Sequence, residues 1–210
     1  MINCEVIVVF LCKKLFKQYP SFKEISRCSC GCPTREQILP LIQVELGLLQ
    51  RKEFDRIESE ITIQGTQPCC QKDCNGFEAT TISYTGIYIF FYSFTIYFSI
   101  INYVWFNLHF PFIIFELYSE NTDEQRIPLK ELPTELNLSF LEQIYSLVGI
   151  VNFKSPVIQT RQSTDSDIRH YTAICYRRNN KWVKYDDCRD AEKFLDDNYN
   201  ACPHIVIYCK

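Results

Sequence analysis

The sequence predicts an α+β domain, and three observations carry that prediction. Apolar residues recur at helical spacing in the N-terminal third, as at Phe54, Ile57 and Ile61. From residue 111 onward the chain breaks into short alternating or apolar runs punctuated by turn residues, the pattern of antiparallel strands. Six of the twelve cysteines form two tight clusters, Cys28-Ser29-Cys30-Gly31-Cys32 and Cys69-Cys70-Gln71-Lys72-Asp73-Cys74. At 210 residues the chain suits one domain with room for an inserted subdomain.

In order, residues 5–19 are apolar and basic with no breaker before Pro20, and read as a helix beginning near Asn3 and Cys4. A polar segment leads to the first cysteine cluster. "PTREQILPLIQVELGLLQ" mixes an extended stretch with the start of a helix, and "QRKEFDRIESEI" is helical by its period. The second cluster lies in a loop bounded by Pro68 and Gly76. "FPFIIFELYSE" reads as a buried strand, and "IPLKELPTELNLSFL" as extended pieces punctuated by Pro128 and Pro133. "IYSLVGIVNFK" is an apolar strand, "AEKFLDDNYN" a short polar connection, and "PHIVIYCK" a closing strand. The parts are thus a helical region with two cysteine knuckles over 1–78, an insert over 79–110, and an antiparallel β region over 111–210.

The insert differs in kind. From Ala79 to Phe115 there is no Asp, Glu, Lys or Arg, and residues 87–107 are long enough to cross a bilayer. Yet Phe, Tyr, Ile, Ser, Thr and Asn dominate where a membrane helix would favour Leu, Ala and Val. Three readings stand: translated non-coding sequence such as a retained intron, a genuine membrane span over 87–107, or buried strands.

Net charge is −3 with a pI near 5.7, and the basic residues form no stripe, which argues against nucleic acid as a partner. The cysteines could staple a secreted scaffold or serve an intracellular metal site; their clustering favours the metal. The start "MINCEVIVVFLCKKLF" has no basic region before its apolar run and no small-residue cleavage site, so an intracellular setting, cytoplasm or nucleus, is expected.

"HYTAICYRRNNKWVKYDD" carries the candidate chemistry. Tyr171–Tyr176 and Trp182–Tyr185 are aromatic and β-branched, and the segment Arg177-Arg178-Asn179-Asn180 tolerates a hairpin turn. Folding that hairpin places His170 roughly opposite Asp186 or Asp187, close enough for a carboxylate to accept an imidazole N–H. A histidine oriented by a carboxylate is two thirds of a nucleophilic triad. Trp182 and Tyr185 are read as hairpin packing, and His109 and His204 as ordinary histidines.

In this order the pieces resemble the C-terminal half of the ubiquitin-specific proteases, papain-like deubiquitinases, and most of all their divergent compact members. The resemblance covers roughly residues 111–209. It rests on the strand "YSLVGIVNF", on His170-Tyr171, on Trp182 to Asp187 and on the last strand, Ile205 to Tyr208. It implies a papain-like cysteine protease fold with His170 as base and Asp186 as its orienter. The implied reaction is cleavage of isopeptide bonds at the C-terminus of ubiquitin or a ubiquitin-like protein, with Arg169 and Tyr171 at the substrate. It also implies a zinc ribbon on the fingers, with structural Zn²⁺ held by Cys28, Cys32, Cys70 and Cys74; degenerate clusters and disulfides are the alternatives.

Two departures bear on the chemistry. Arg169 replaces the family's glycine before the histidine, adding bulk and charge where a substrate tail would pass. The family's Asn-Thr-Cys helix box is absent, and "INCEVIVVFL" offers only Cys4 at the start of a helix, where the dipole lowers a thiol pKa but Glu5 opposes it. The nucleophile is therefore Cys4, or the box is lost or lies upstream. Without it the chain would be a non-enzymatic ubiquitin-binding module, and with a real span over 87–107 a single-pass membrane protein.

Overall fold

A computed structural model describes residues 4–17, 22–62, 64–69, 75–84, 87–88, 107–108, 112–119, 126–141, 143–154, 170–177, 179–188 and 191–210. It is mostly β-sheet with few helices. The N-terminal helix forms as its unbroken apolar run requires, as α1 (Cys4–Leu15). Strands β1 (Phe22–Cys28), β2 (Arg35–Leu39) and β3 (Ile42–Glu45) follow, then helices α2 (Leu46–Gln50) and α3 (Phe54–Thr62). Hairpin β4 (Gln64–Pro68) and β5 (Phe77–Tyr84) closes this part. The region expected to be helical thus also contains strands. β1 reads as merely polar in the sequence because Lys23, Glu24, Ser26 and Arg27 interrupt it, yet Phe22 and Ser26 are buried.

Two short strands, β6 (Ile87–Tyr88) and β7 (Asn107–Leu108), bracket the aromatic insert and pair antiparallel. This corrects the single-pass reading of 87–107. A helix crossing a bilayer holds its ends about 30 Å apart, whereas paired strands hold them about 5 Å apart. The chain therefore leaves and returns at one place. No helix among the described residues is long and apolar enough to cross a membrane, and residues 89–106 lie outside them. At the flanks, Ala79–Tyr84 and Phe112–Phe115 belong to strands with buried residues, as the buried-strand reading required.

The rest comprises β8 (Phe112–Tyr118), β9 (Ile127–Pro128), a 3-10 turn (Leu129–Glu131), β10 (Glu135–Leu136), β11 (Tyr145–Lys154), β12 (His170–Arg177) and β13 (Lys181–Tyr185). β14 (Lys193–Leu195), β15 (Asn200–Ala201) and β16 (Pro203–Cys209) complete it. The main sheet runs β14-β13-β12-β11-β16-β8-β3, with β10 paired beside β11. All its pairings are antiparallel except β3 on β8. A separate four-stranded sheet runs β2-β1-β5-β4.

Strand alternation sorts the main sheet into two faces. Ile113, Phe115, Ile150, Ile174, Val206 and Tyr208 point into the principal core, which α2 and α3 cover through Leu48, Leu49, Ile57 and Ile61. Phe112, Ile114, Val151, Ile205 and Ile207 point to the other face, where Cys12 and Phe16 follow α1 onto them. Phe22 at the root of the smaller sheet packs edge-on against Tyr84 and Phe140, joining that sheet to the core.

Gly149 lies where β11 crosses closest to β12. A Cβ there would fall on the Ile174 carbonyl oxygen and within 2.9 Å of Cys175 Cα, both backbone atoms that cannot swing away. Gly149→Ala is expected to destabilise by ~1–3 kcal/mol, read as a lower denaturant midpoint with an unchanged slope. An unchanged midpoint would show that the β11–β12 spacing is wrong.

Candidate active site

His170 is the first residue of β12 and Asp186 the first after β13, so the hairpin brings both to one end of the sheet. The ladder pairs Ala173 with Tyr185 and Arg177 with Lys181, so its continuation sets Asp186 opposite Thr172. His170 and Asp186 are therefore diagonal neighbours on one face, a separation long side chains can bridge. They do: His170 Nε2 lies 2.8 Å from Asp186 Oδ1. A carboxylate can only accept, so the contact selects the tautomer with hydrogen on Nε2 and leaves Nδ1 as the basic nitrogen.

Asp186 is held as an anion. The His170 hydrogen bond lowers its pKa below the ordinary carboxylate value, helped by the Cys188 backbone N–H and the Lys184 charge, against the opposing effect of burial. The Cys188 N–H donates to Oδ1 at 3.2 Å, and Lys184 Nζ lies 3.6 Å from Oδ2. Both side chains keep limited access to solvent, 24% for His170 and 12% for Asp186. Asp187 is the outer carboxylate, 3.4 Å from His170 Nε2.

Behind the pair sits a buried amide that sequence reasoning missed. Asn152 donates from Nδ2 to Thr172 Oγ1 at 3.1 Å and accepts from the Cys202 N–H at 2.8 Å. One side chain thus fixes β11, β12 and the approach to β16, two residues from His170. Its signal was the lone amide within "YSLVGIVNFK", since a buried amide must find partners.

Tyr171 points to the opposite face. Its ring stacks on His204 with centroids 5.8 Å apart, and its hydroxyl lies 2.9 Å from His204 Nδ1. His204 Nε2 is 3.8 Å from Glu116, and that contact, with the hydrogen bond donated by the Gln43 amide, holds the Glu116 carboxyl below its usual range. His204, which looks unpartnered in sequence, is turned here by the register shift between Val151 and Asn152. Arg169 and His109 lie outside the described residues.

Cys4 heads α1 as expected, but its side chain lies outside the described residues. The described part of α1 docks through Cys12 and Phe16 on the face opposite His170. Burial raises the thiol pKa of Cys12, with Glu116 adding to it, and burial likewise raises Cys175. Cys188 is raised by desolvation and by Asp187 and Asp186. None of these three is an activated thiolate.

The first cysteine cluster and Cys69 of the second lie at the ends of two neighbouring hairpins. Cys28 ends β1 opposite Glu78 of β5, so the β1–β2 and β4–β5 turns lie side by side. In the first tip Cys30 Sγ lies 3.0 Å from Cys28 Sγ and 2.9 Å from Cys32 Sγ, and all three sulfurs are within 4.8 Å of one another. Cys30, outside the four expected ligands, is thus part of the cluster. The second tip closes through the Cys69 N–H to the Gly76 carbonyl at 2.9 Å. A Cβ on Gly76 would come within 2.8 Å of Cys28 Sγ, which would have to turn aside, so glycine eases the close approach of the two hairpins. Cys70 and Cys74 lie outside the described residues. The three thiols of Cys28, Cys30 and Cys32 could hold part of a Zn²⁺ site, which would spread the sulfurs to about 3.8 Å.

No protein-family model matches the chain, and no curated protein matches it. Solved structures do. The Saccharomyces cerevisiae PAN2 pseudoubiquitin-hydrolase aligns over 98% of this chain and 64% of its own, at 13% identity and TM-score 0.54. A SAGA DUB module of Ubp8, Sgf11, Sus1 and Sgf73 bound to monoubiquitin aligns over 90% of this chain and 40% of the other, at 13% identity and TM-score 0.48. A yeast SAGA DUB module at 12% identity gives the same coverage and score. The chain has a fold similar to that of the PAN2 pseudoubiquitin-hydrolase. It spans 40% of the DUB-module chains and about two thirds of the PAN2 chain.

If the tips hold Zn²⁺, stripping it with a chelator should cost the smaller sheet its clasp. The expected result is a fall in Tm of at least ~5 °C, reproduced by Cys30→Ser and reversed by added Zn²⁺. A metal-free preparation with the same Tm would contradict the site.

Proposed function

We propose that the chain is a papain-like thiol hydrolase of the deubiquitinase type, acting on isopeptide bonds at the C-terminus of ubiquitin or a ubiquitin-like protein. The observation that carries this reading is the 2.8 Å contact between His170 Nε2 and Asp186, which leaves Nδ1 of the imidazole available as a base. Cys4 at the head of α1 is the candidate nucleophile. His170 would accept its thiol proton, and Asp186 would hold the ring and stabilise the imidazolium. The thiolate would attack the terminal glycine carbonyl, expel the lysine amine as His170 returns the proton, and leave an acyl-enzyme for water. Arg169, next to the base in sequence, is assigned to the substrate tail; Tyr171, expected there too, is instead turned to the opposite face onto His204. Zn²⁺ supplies no step: Cys28, Cys30 and Cys32, with cysteines of the second tip, would hold it as a structural clasp of the fingers.

A second reading has its own support. The three thiols with raised pKa values are unactivated, and α1 docks on the face opposite His170. On this reading the domain binds ubiquitin or a relative without cleaving anything.

Ubiquitin and SUMO bearing a C-terminal propargyl electrophile separate the two. The hydrolase reading expects a covalent adduct mapped to Cys4, abolished in Cys4→Ala and slowed about 10²–10⁴-fold in His170→Ala. Saturable binding with no adduct at any cysteine would overturn the hydrolase and support the binding module.

A further inference from the structure

The turn after β13 carries more ligand chemistry than a His–Asp pair needs. His170, Asp186, Asp187 and Cys188 each offer one donor atom, and these atoms all lie within 4.8 Å of one another. They arrive from two directions, the imidazole from the start of β12 and the other three from the turn. Asp187 is 84% exposed, yet its Oδ1 stands 3.4 Å from the imidazole, longer than a good hydrogen bond. Its carboxylate nevertheless approaches both the ring and the Cys188 thiol. The Cys188 N–H bonded to Asp186 curls the chain so that the thiol also returns toward the ring.

We propose that His170, Asp186, Asp187 and Cys188 form a binding site for a borderline-soft divalent metal ion, of which Zn²⁺ is the type. One nitrogen, two carboxylate oxygens and one sulfur make a donor set that Zn²⁺ accepts, whereas Mg²⁺ and Ca²⁺ call for oxygen alone. Bonds of about 2.0–2.3 Å around a tetrahedral ion set its donors about 3.3–3.8 Å apart. No pair therefore has to close by more than about 1.5 Å, and the turn that carries the exposed Asp187 is the part placed to adjust. Any ion held here occupies the imidazole nitrogen that faces Asp186 and takes the carboxylate that orients the ring. Metal binding is thus an off-state of the base. That consequence rests on the hydrolase reading; the binding does not.

The site is separate from the cysteine tips, which contain no histidine, so the imidazole reports on it alone. The full chain with ring-labelled histidine is titrated with Zn²⁺ and followed by NMR; of its three histidines, the His170 signal is assigned by its loss in His170→Asn. The site predicts that this signal shifts and saturates, and that Cys188→Ser raises the midpoint at least ~10-fold. Asp187→Asn, a change at an exposed side chain, should also weaken binding and serves if Cys188→Ser does not fold. A His170 signal unmoved by excess Zn²⁺ overturns the site, as does a shift whose midpoint neither substitution changes. Either failure leaves the hydrolase reading to the adduct experiment, which needs no metal.

Discussion

The antiparallel ladder between β12 and β13 decides what His170 can touch. Because side chains alternate faces along a strand, a slip of one residue would move Asp186 to the far face and leave the imidazole without a carboxylate. The hairpin turn sets that register: Asn180 adopts a φ of +57°, which asparagine tolerates better than most residues. Trp182, buried 4.7 Å from the Tyr176 ring, pins it from the core side. The Asn152 amide then fixes β12 to its other neighbour. Register, turn and amide together deliver a diagonal His–Asp pair at the open end of a packed sheet.

The smaller sheet obeys a comparable constraint of close approach. Gly76, with no side chain, eases the close approach of its two hairpin ends, and beneath them Glu78 is buried against the Arg35 guanidinium. That ion pair lowers the Glu78 pKa and keeps a charge in an otherwise closed strand pair. The sheet has few buried apolar residues of its own, Phe22 and Ile82 among them, and a metal held by the thiols of Cys28, Cys30 and Cys32 would add cohesion there.

Much of the fold was legible because the signals were local. Phe54, Ile57 and Ile61 gave α3, the uninterrupted apolar runs gave β8, β11 and β16, and two asparagines between aromatic strands gave the hairpin. What escaped was short or distant. β14 and β15 are edge pieces of three and two residues with mostly exposed side chains, so "AEKFLDDNYN" carries no alternation to read. The partners of Asn152 and His204 come from strands far along the chain, and nothing in spacing announces them. Hydropathy misled at 87–107, where composition suggested a span and the pairing of its two ends excludes one. At the site, geometry from the hairpin set His170 roughly opposite Asp186 or Asp187; that the 2.8 Å contact is to Asp186, on a diagonal, needed the true register.

The account stands on His170 donating from Nε2 to Asp186. The ¹⁵N spectrum of the His170 ring, taken at a pH where it is neutral, reads this directly. Hydrogen on Nε2, with Nδ1 bare and the preference lost in Asp186→Asn, is the predicted result. Hydrogen on Nδ1, or a ring indifferent to Asp186, would contradict the pair and the chemistry built on it.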